Sequence, residues 1–239
     1  MKNVRHHAAV TLIRPIDSTG DLIFGIYDEE YPVTVFIGHY VPIGGNANGH
    51  NSPLDTVTKE LHEELQDEHF SEETIGTLVN LRDKSAYTQK NFKIGEKAVS
   101  YDIRMEFRNA VVGNLTPLSD YLVSIDGIKV KAKEKEINFV SSFFCAEVTN
   151  PLFYEVANQL LAGKELRNEG LTKVINEAEL KNGTIRGAWG ASTIVGDILE
   201  LNVPEYDWIR VECIGDIRDS YQDYKKDFSY ARDPEVKAK

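Results

Sequence analysis

Cysteine is nearly absent: of 239 residues, only Cys145 and Cys213 carry a thiol. Two thiols exclude a disulfide scaffold and a four-cysteine zinc site, and their scarcity suits a reducing cytoplasm. Basic residues are in deficit, 27 against 38 acidic ones, for a net charge of −11. That balance argues against sequence-blind nucleic-acid binding, which needs Lys and Arg facing phosphates, and against anionic membranes. No stretch approaches the roughly 18 uninterrupted apolar residues of a membrane span. The opening MKNVRHHAAVTLIRP holds an apolar run too short and too broken for a secretory signal, so a cytoplasmic location is expected. Repeats and low-complexity linkers are also missing. What is present is a 41% hydrophobic content, enough for a sizeable core in one large domain or one domain with an elaborated tail.

The patterning predicts an α/β chain. HAAVTLI (7–13) and LIFGIYD (22–28) read as strands joined into a hairpin through DSTGD, and VTVFIGHYVPI (33–43) as another β-rich run. The following GGNANGHNS (44–52) reads as a loop able to turn tightly and present backbone N–H groups. Residues 53–66 give the clearest helix. Ser52 is a good N-cap, Pro53 takes the favoured first position and Asp55 the third, while Leu54, Val57, Leu61 and Leu65 recur at helical spacing.

Beyond residue 70, segments 74–81 and 99–107 look like strands. Residues 110–138 show weak periodicity and a charge run, KVKAKEKE, and are expected as an insertion over the surface. A buried strand (137–148), a helix ended by Gly163 (151–164), a strand (171–176), a short turn or helix (177–180) and a last core helix (191–201) follow. The tail changes character at Asn202, with Tyr206, Trp208, Tyr221, Tyr224, Phe228 and Tyr230 among mixed charges. The expected division is a domain over 1–201 and a C-terminal extension over 202–239 that packs on its own domain or on a dimer partner.

The acidic side of helix 53–66 is the informative feature. Glu60, Glu63 and Glu64 stand at i, i+3 and i+4, on one stripe beside the apolar face. Two carboxylates about 7 Å apart repel by roughly 2.4 kcal/mol at an effective dielectric of 20. In a cleft such a stripe calls for a counter-charge, and a hard divalent cation with oxygen ligands, Mg²⁺ or Mn²⁺, is the natural one. On a fully solvated face the same pattern is an ordinary amphipathic helix.

The frame of strand, Gly-Gly loop, Ser-Pro cap, helix and carboxylate triplet resembles the Nudix hydrolase family, whose box reads G-x5-E-x7-R-E-U-x-E-E-x-G-U with U a bulky aliphatic residue. Gly45 starts the match, Asn51 follows after five residues, and Lys59-Glu60-Leu61-His62-Glu63-Glu64-Leu65-Gln66-Asp67 after seven more, without a gap. Four positions depart from the box. Asn51 stands for its first Glu, Lys59 for Arg, Gln66 for Gly and Asp67 for the final aliphatic residue. Asn51 can still accept a hydrogen bond from Lys59, though Lys lacks the bidentate fork of Arg. Gln66 removes the usual left-handed helix stop, so the helix is expected to run on by a turn.

The resemblance implies an α/β/α sandwich with a mixed β-sheet, carrying the insertion and the C-terminal extension. It implies Glu60, Glu63 and Glu64 as metal ligands, Mg²⁺ or Mn²⁺ as cofactor, and Gly44, Gly45 and Lys59 at the ligand. Glu63 and Glu64 would be catalytic, with a further Glu from a later loop as base: Glu169 is the candidate, and Glu165 and Glu106 are rivals. The implied reaction is hydrolysis of the pyrophosphate in a nucleoside diphosphate linked to another group, ADP-ribose-like or a dinucleotide. The alternative is a relative that senses a nucleotide without cleaving it.

Other notable residues have plainer expectations. His6 and His7 read as one packed and one exposed ring. His50 lies where it could meet phosphate. Cys145 reads as a buried small hydrophobe, and RGAWGAS (186–192) as packing around Trp189.

Overall fold

The computed structural model describes residues 2–16, 20–29, 31–47, 52–65, 98–130, 133–166 and 171–230. The first long apolar run forms the middle of the sheet. After β1 (Lys2–Val4), β2 (His6–Pro15) pairs in parallel with β7 (Lys133–Val148), from His6 opposite Phe139 to Pro15 opposite Val148. The other edge of β2 is shared. Its N-terminal half pairs antiparallel with β5 (Ile43–Asn46), and Ile13 pairs with Ile23 of β3 (Asp21–Ile26). β4 (Tyr40–Val41) and β8 (Leu171–Asn176) flank β3, while β6 (Leu115–Val130) and β9 (Ile209–Gly215) continue the sheet beyond β7. One parallel pairing among antiparallel ones makes the eight-stranded sheet mixed.

Alternation along β2 sends side chains to two cores. Ala9 and Ile13 join Ile23, Phe144 and Ala146 under α1 (Pro53–Glu64), α2 (Tyr101–Gly113) and α3 (Asn150–Leu161). Val10 and Leu12 join Phe24, Val123 and Phe143 on the other face. There they meet Leu180 of α4 (Glu177–Lys181) and Ile194 and Val195 of α5 (Ala191–Ile198). Helices therefore cover both faces of a mixed sheet, as expected for an α/β chain. Among the described residues, no helix is long and apolar enough to cross a membrane.

Four local expectations give way. Residues 33–43 are not one strand: Val33 and Phe36 are both buried, and a 3-10 turn over Thr34–Phe36 places them three apart before β4. Residues 44–46 are strand rather than loop, because the side-chain-free Gly44 and Gly45 pair against Val10 and Ala9. The run at 99–107 becomes α2. Its buried positions, Arg104, Phe107, Arg108 and Val111, follow helical spacing, but two are arginines, so the apolar stripe is hidden from a hydropathy reading. The stretch expected to run over the surface holds β6. Pro117 and the Asp126-Gly127 pair look like breakers, yet the sheet absorbs both at register shifts, between Pro117 and Ser119 and between Ile125 and Ile128. The strand expected at 74–81 lies outside the described residues.

The tail folds onto its own chain. β9 is an edge of the main sheet. After it come α6 (Tyr221–Tyr224) and β10 (Phe228–Tyr230), which pairs in parallel with β1. Val4, Leu122, Val140, Tyr224 and Phe228 form a small third core. Beside it lies a buried polar knot in which Asp120 accepts hydrogen bonds from Ser142 Oγ (2.5 Å) and Tyr224 OH (2.6 Å).

Candidate functional site

The site is built where β3 and β5 part along β2. Ser52 caps α1 by accepting from the Asp55 N–H at 3.1 Å, and Pro53 opens the first turn. Thr56, Val57 and Leu61 are buried, which seats α1 on β5 and β2. Leu54, expected in that stripe, is instead 51% exposed. The helix closes at Glu64, with Leu65 as C-cap donating to Leu61 O. It thus ends a turn earlier than the departure at Gln66 suggested. Gln66 and Asp67 lie outside the described residues.

This seating fixes what the acidic stripe meets. Glu60, Glu63 and Glu64 are each half-buried. The Glu60 carboxylate lies directly against the bare Cα of Gly45. Glu63 faces Lys59 across 3.9 Å. Glu64 lines a cavity of about 580 Å³, with Gly44, Gly45 and Asn46 on the same wall. Gly44 has φ +148°, and a side chain there would run into Ala9 O and Val10 Cα. The chain can approach β2 this closely only without a Cβ.

Three cross-strand pairs floor the cavity: His6 with Phe139, Ala8 with Ser141, and Val10 with Phe143. The small middle pair leaves depth between larger neighbours. Tyr27, Asp28 and Tyr31, just past β3, also line the cavity, and Trp189 joins them through Tyr31. Among the described residues, the carboxylates that line the cavity are Asp28 and Glu64, with His6 in its floor. Among the described residues, no group of three or more His, Cys, Asp or Glu side chains converges to hold a metal ion.

No protein-family model matches the sequence, and none of the curated proteins matches it. Among solved structures the chain is similar to a Nudix hydrolase from M. smegmatis, RenU. The TM-score is 0.37 and the identity 11%, over 82% of this chain and 88% of that one.

The structure brings together part of the expected set. Gly44, Gly45, Glu60 and Glu64 share one corner; Lys59 and Glu63 sit beside each other on α1. Glu169, His50 and Asn51 lie outside the described residues. The rivals of Glu169 are placed elsewhere. Glu106 is exposed on α2, and Glu165 does not line the cavity but accepts the Thr172 N–H at 3.1 Å.

Of the histidine pair, neither ring is exposed. His6 stacks on Phe139 (centroids 4.9 Å apart) in the cavity floor, and His7 points to the opposite neighbours, edge-on to Tyr221 and Tyr224. Burial, with help from the positive charges of His6 and Arg218, lowers the His7 pKa to about 3, so this ring stays neutral. Burial and then Arg108 likewise hold His62 below its ordinary value. Cys145 is buried as expected, and burial pushes its thiol pKa up.

The aromatic wall is what sequence reasoning missed. Tyr27 reads as the end of a strand and Trp189 as packing, and nothing in the sequence singles out Tyr31. The only local signal was a tryptophan followed by glycine, and Trp189 does take the left-handed backbone, φ 57°, ahead of Gly190 at 81°.

Proposed function

We propose that this chain hydrolyses the pyrophosphate bond of a nucleoside diphosphate joined to another group, an ADP-ribose-like compound or a dinucleotide, using Mg²⁺ or Mn²⁺. The observation that carries the reading is the corner where Glu64 and the Gly44–Gly45 backbone share a cavity wall and the Glu60 carboxylate rests on Gly45. The donors are carboxylate oxygens, which suit a hard cation. Mg²⁺ is commonly held by one or two carboxylates plus the phosphates of its ligand, and Glu60 with Glu64 supply that number. When bound there, the cation would neutralise phosphate charge and activate a water.

The chain's own part is positioning. The Glu60 carboxylate covers Gly45, so a diphosphate would reach this corner through a cation held by Glu60 and Glu64. The acidic wall admits that anion only together with a cation. Lys59 restrains Glu63 on the neighbouring turn. Glu63 and Glu64 are the proposed catalytic carboxylates, and Glu169 the proposed base.

The test is hydrolysis of ADP-ribose and a dinucleotide panel with Mg²⁺. Turnover that disappears in EDTA and in Glu64→Gln supports the reading; absence of turnover on every member overturns it. The alternative, nucleotide sensing without cleavage, makes the opposite prediction for turnover. Ligand-dependent thermal stabilisation without any turnover would select it.

A further inference from the structure

We propose that the aromatic end of the cavity is the seat of the ligand's nucleobase, with Tyr27 and Trp189 as the specificity-determining residues. The inference rests on the proposed function only in taking the phosphates to lie at the Gly44–Gly45 corner. Tyr27 and Tyr31 stack nearly parallel, centroids 3.6 Å apart at 12°. Trp189 Nε1 donates to Tyr31 OH at 3.0 Å, which locks the indole to the same wall. The turn that carries Trp189 is itself held. Ala188 N donates to Tyr40 O at 2.9 Å, and Gly187 N to Ser192 Oγ at 2.8 Å. His6 stacked on Phe139 provides a further flat ring in the floor. The wall is therefore a pre-formed set of π-faces on the same cavity as Glu64.

Such faces favour a planar ring. The stacked tyrosines present one flat platform, and Trp189 stands at 82° to Phe139 in the floor, so a planar ring meets aromatic surface at both its face and its edge. Stacking on aromatic side chains tolerates any base, so the proposal names a nucleobase and not one base. The phosphate end and the base end would then be bound by separate walls, and the linked group by neither.

The test compares AMP with ribose 5-phosphate, which differ by the base and have no pyrophosphate to cleave. Binding is measured calorimetrically on the full chain in Mg²⁺. The expected result is AMP binding at least about ten-fold tighter than ribose 5-phosphate. Tyr27→Leu and Trp189→Leu should each shrink that preference and leave ribose 5-phosphate affinity unchanged. AMP should also quench tryptophan fluorescence, and Trp189→Phe, which retains Trp208, should lose the quench. Equal affinities in the wild type, or no AMP binding, overturn the proposal even if a variant fails to fold. A preference that survives in both folded leucine variants also overturns it. The two readings fail separately. AMP preference without turnover of ADP-ribose removes the hydrolase, and turnover without base preference removes the aromatic seat.

Discussion

The carboxylate of Glu60 lies on Gly45 so closely that a Cβ at position 45 would overlap it. The obstruction is the far end of a flexible side chain, so Gly45→Ala should fold with little loss of stability while displacing the carboxylate. Gly44→Ala differs, because its Cβ would strike backbone at Ala9 and Val10 from a left-handed φ. We expect Gly44→Ala to cost about 1–3 kcal/mol in urea unfolding, and Gly45→Ala to lose turnover with a near-native unfolding midpoint. Equal stability losses in the two variants would contradict this placement of α1.

Glu64 lines the cavity, whereas Glu63 faces Lys59. Glu64→Gln should lower turnover at least about 100-fold with the fold intact. Glu63→Gln, at the other proposed catalytic carboxylate, should do the same. Lys59→Ala, which removes the partly exposed ion pair with Glu63, should change stability by less than about 1 kcal/mol. Steady-state kinetics with circular dichroism on the three variants gives the ranking. Near-normal turnover in both Gln variants rejects the carboxylate assignment.

The Asp120 knot makes the tail part of the fold. Tyr224→Phe removes one of two side-chain donors to a carboxylate that burial already strains, its pKa being raised. A loss of about 1–3 kcal/mol is expected, the cost of an under-satisfied buried acceptor. Urea denaturation of Tyr224→Phe against the wild type reads it directly.

His7 should give the protein an acid-sensitive stability. Its folded pKa, about 3, lies below its unfolded value of 6.5, with burial the main cause. The unfolded state therefore takes up the proton first. This contribution is complete above about pH 6.5 and is lost as pH falls towards 3, by up to about 1.4 kcal/mol per pH unit. Asp120 and Glu205 oppose it, because burial raises both pKa values and favours the folded state as pH falls. The urea midpoint should drop between pH 6.5 and 5 in the wild type, and the drop should flatten or reverse in His7→Leu. An unchanged slope in that variant would exclude His7 as the titrating group.

Much of the local architecture was legible because it depends on neighbours in sequence. The Ser52-Pro53 cap, the helix after it, the β7 run and the turn at Gly163 each follow from residues within a few positions. Reading failed where distant partners override the pattern. Arg104 and Arg108 fill apolar-spaced positions of α2, and Pro117 and Gly127 sit inside a strand because β7 pairs across both irregularities. Trp189 and Tyr31 are far apart in the chain, and nothing local marks either as half of one wall.

The amino-acid sequence by itself determined that three carboxylates share one stripe of a capped helix beside an apolar face, since helix periodicity alone sets that. Tertiary structure decided which carboxylate meets the cavity, that glycines leave room for Glu60, and that tyrosines and a tryptophan line the same cavity as Glu64. Those outcomes depend on strand pairing and close packing between distant segments, whose energetics no short window of sequence contains.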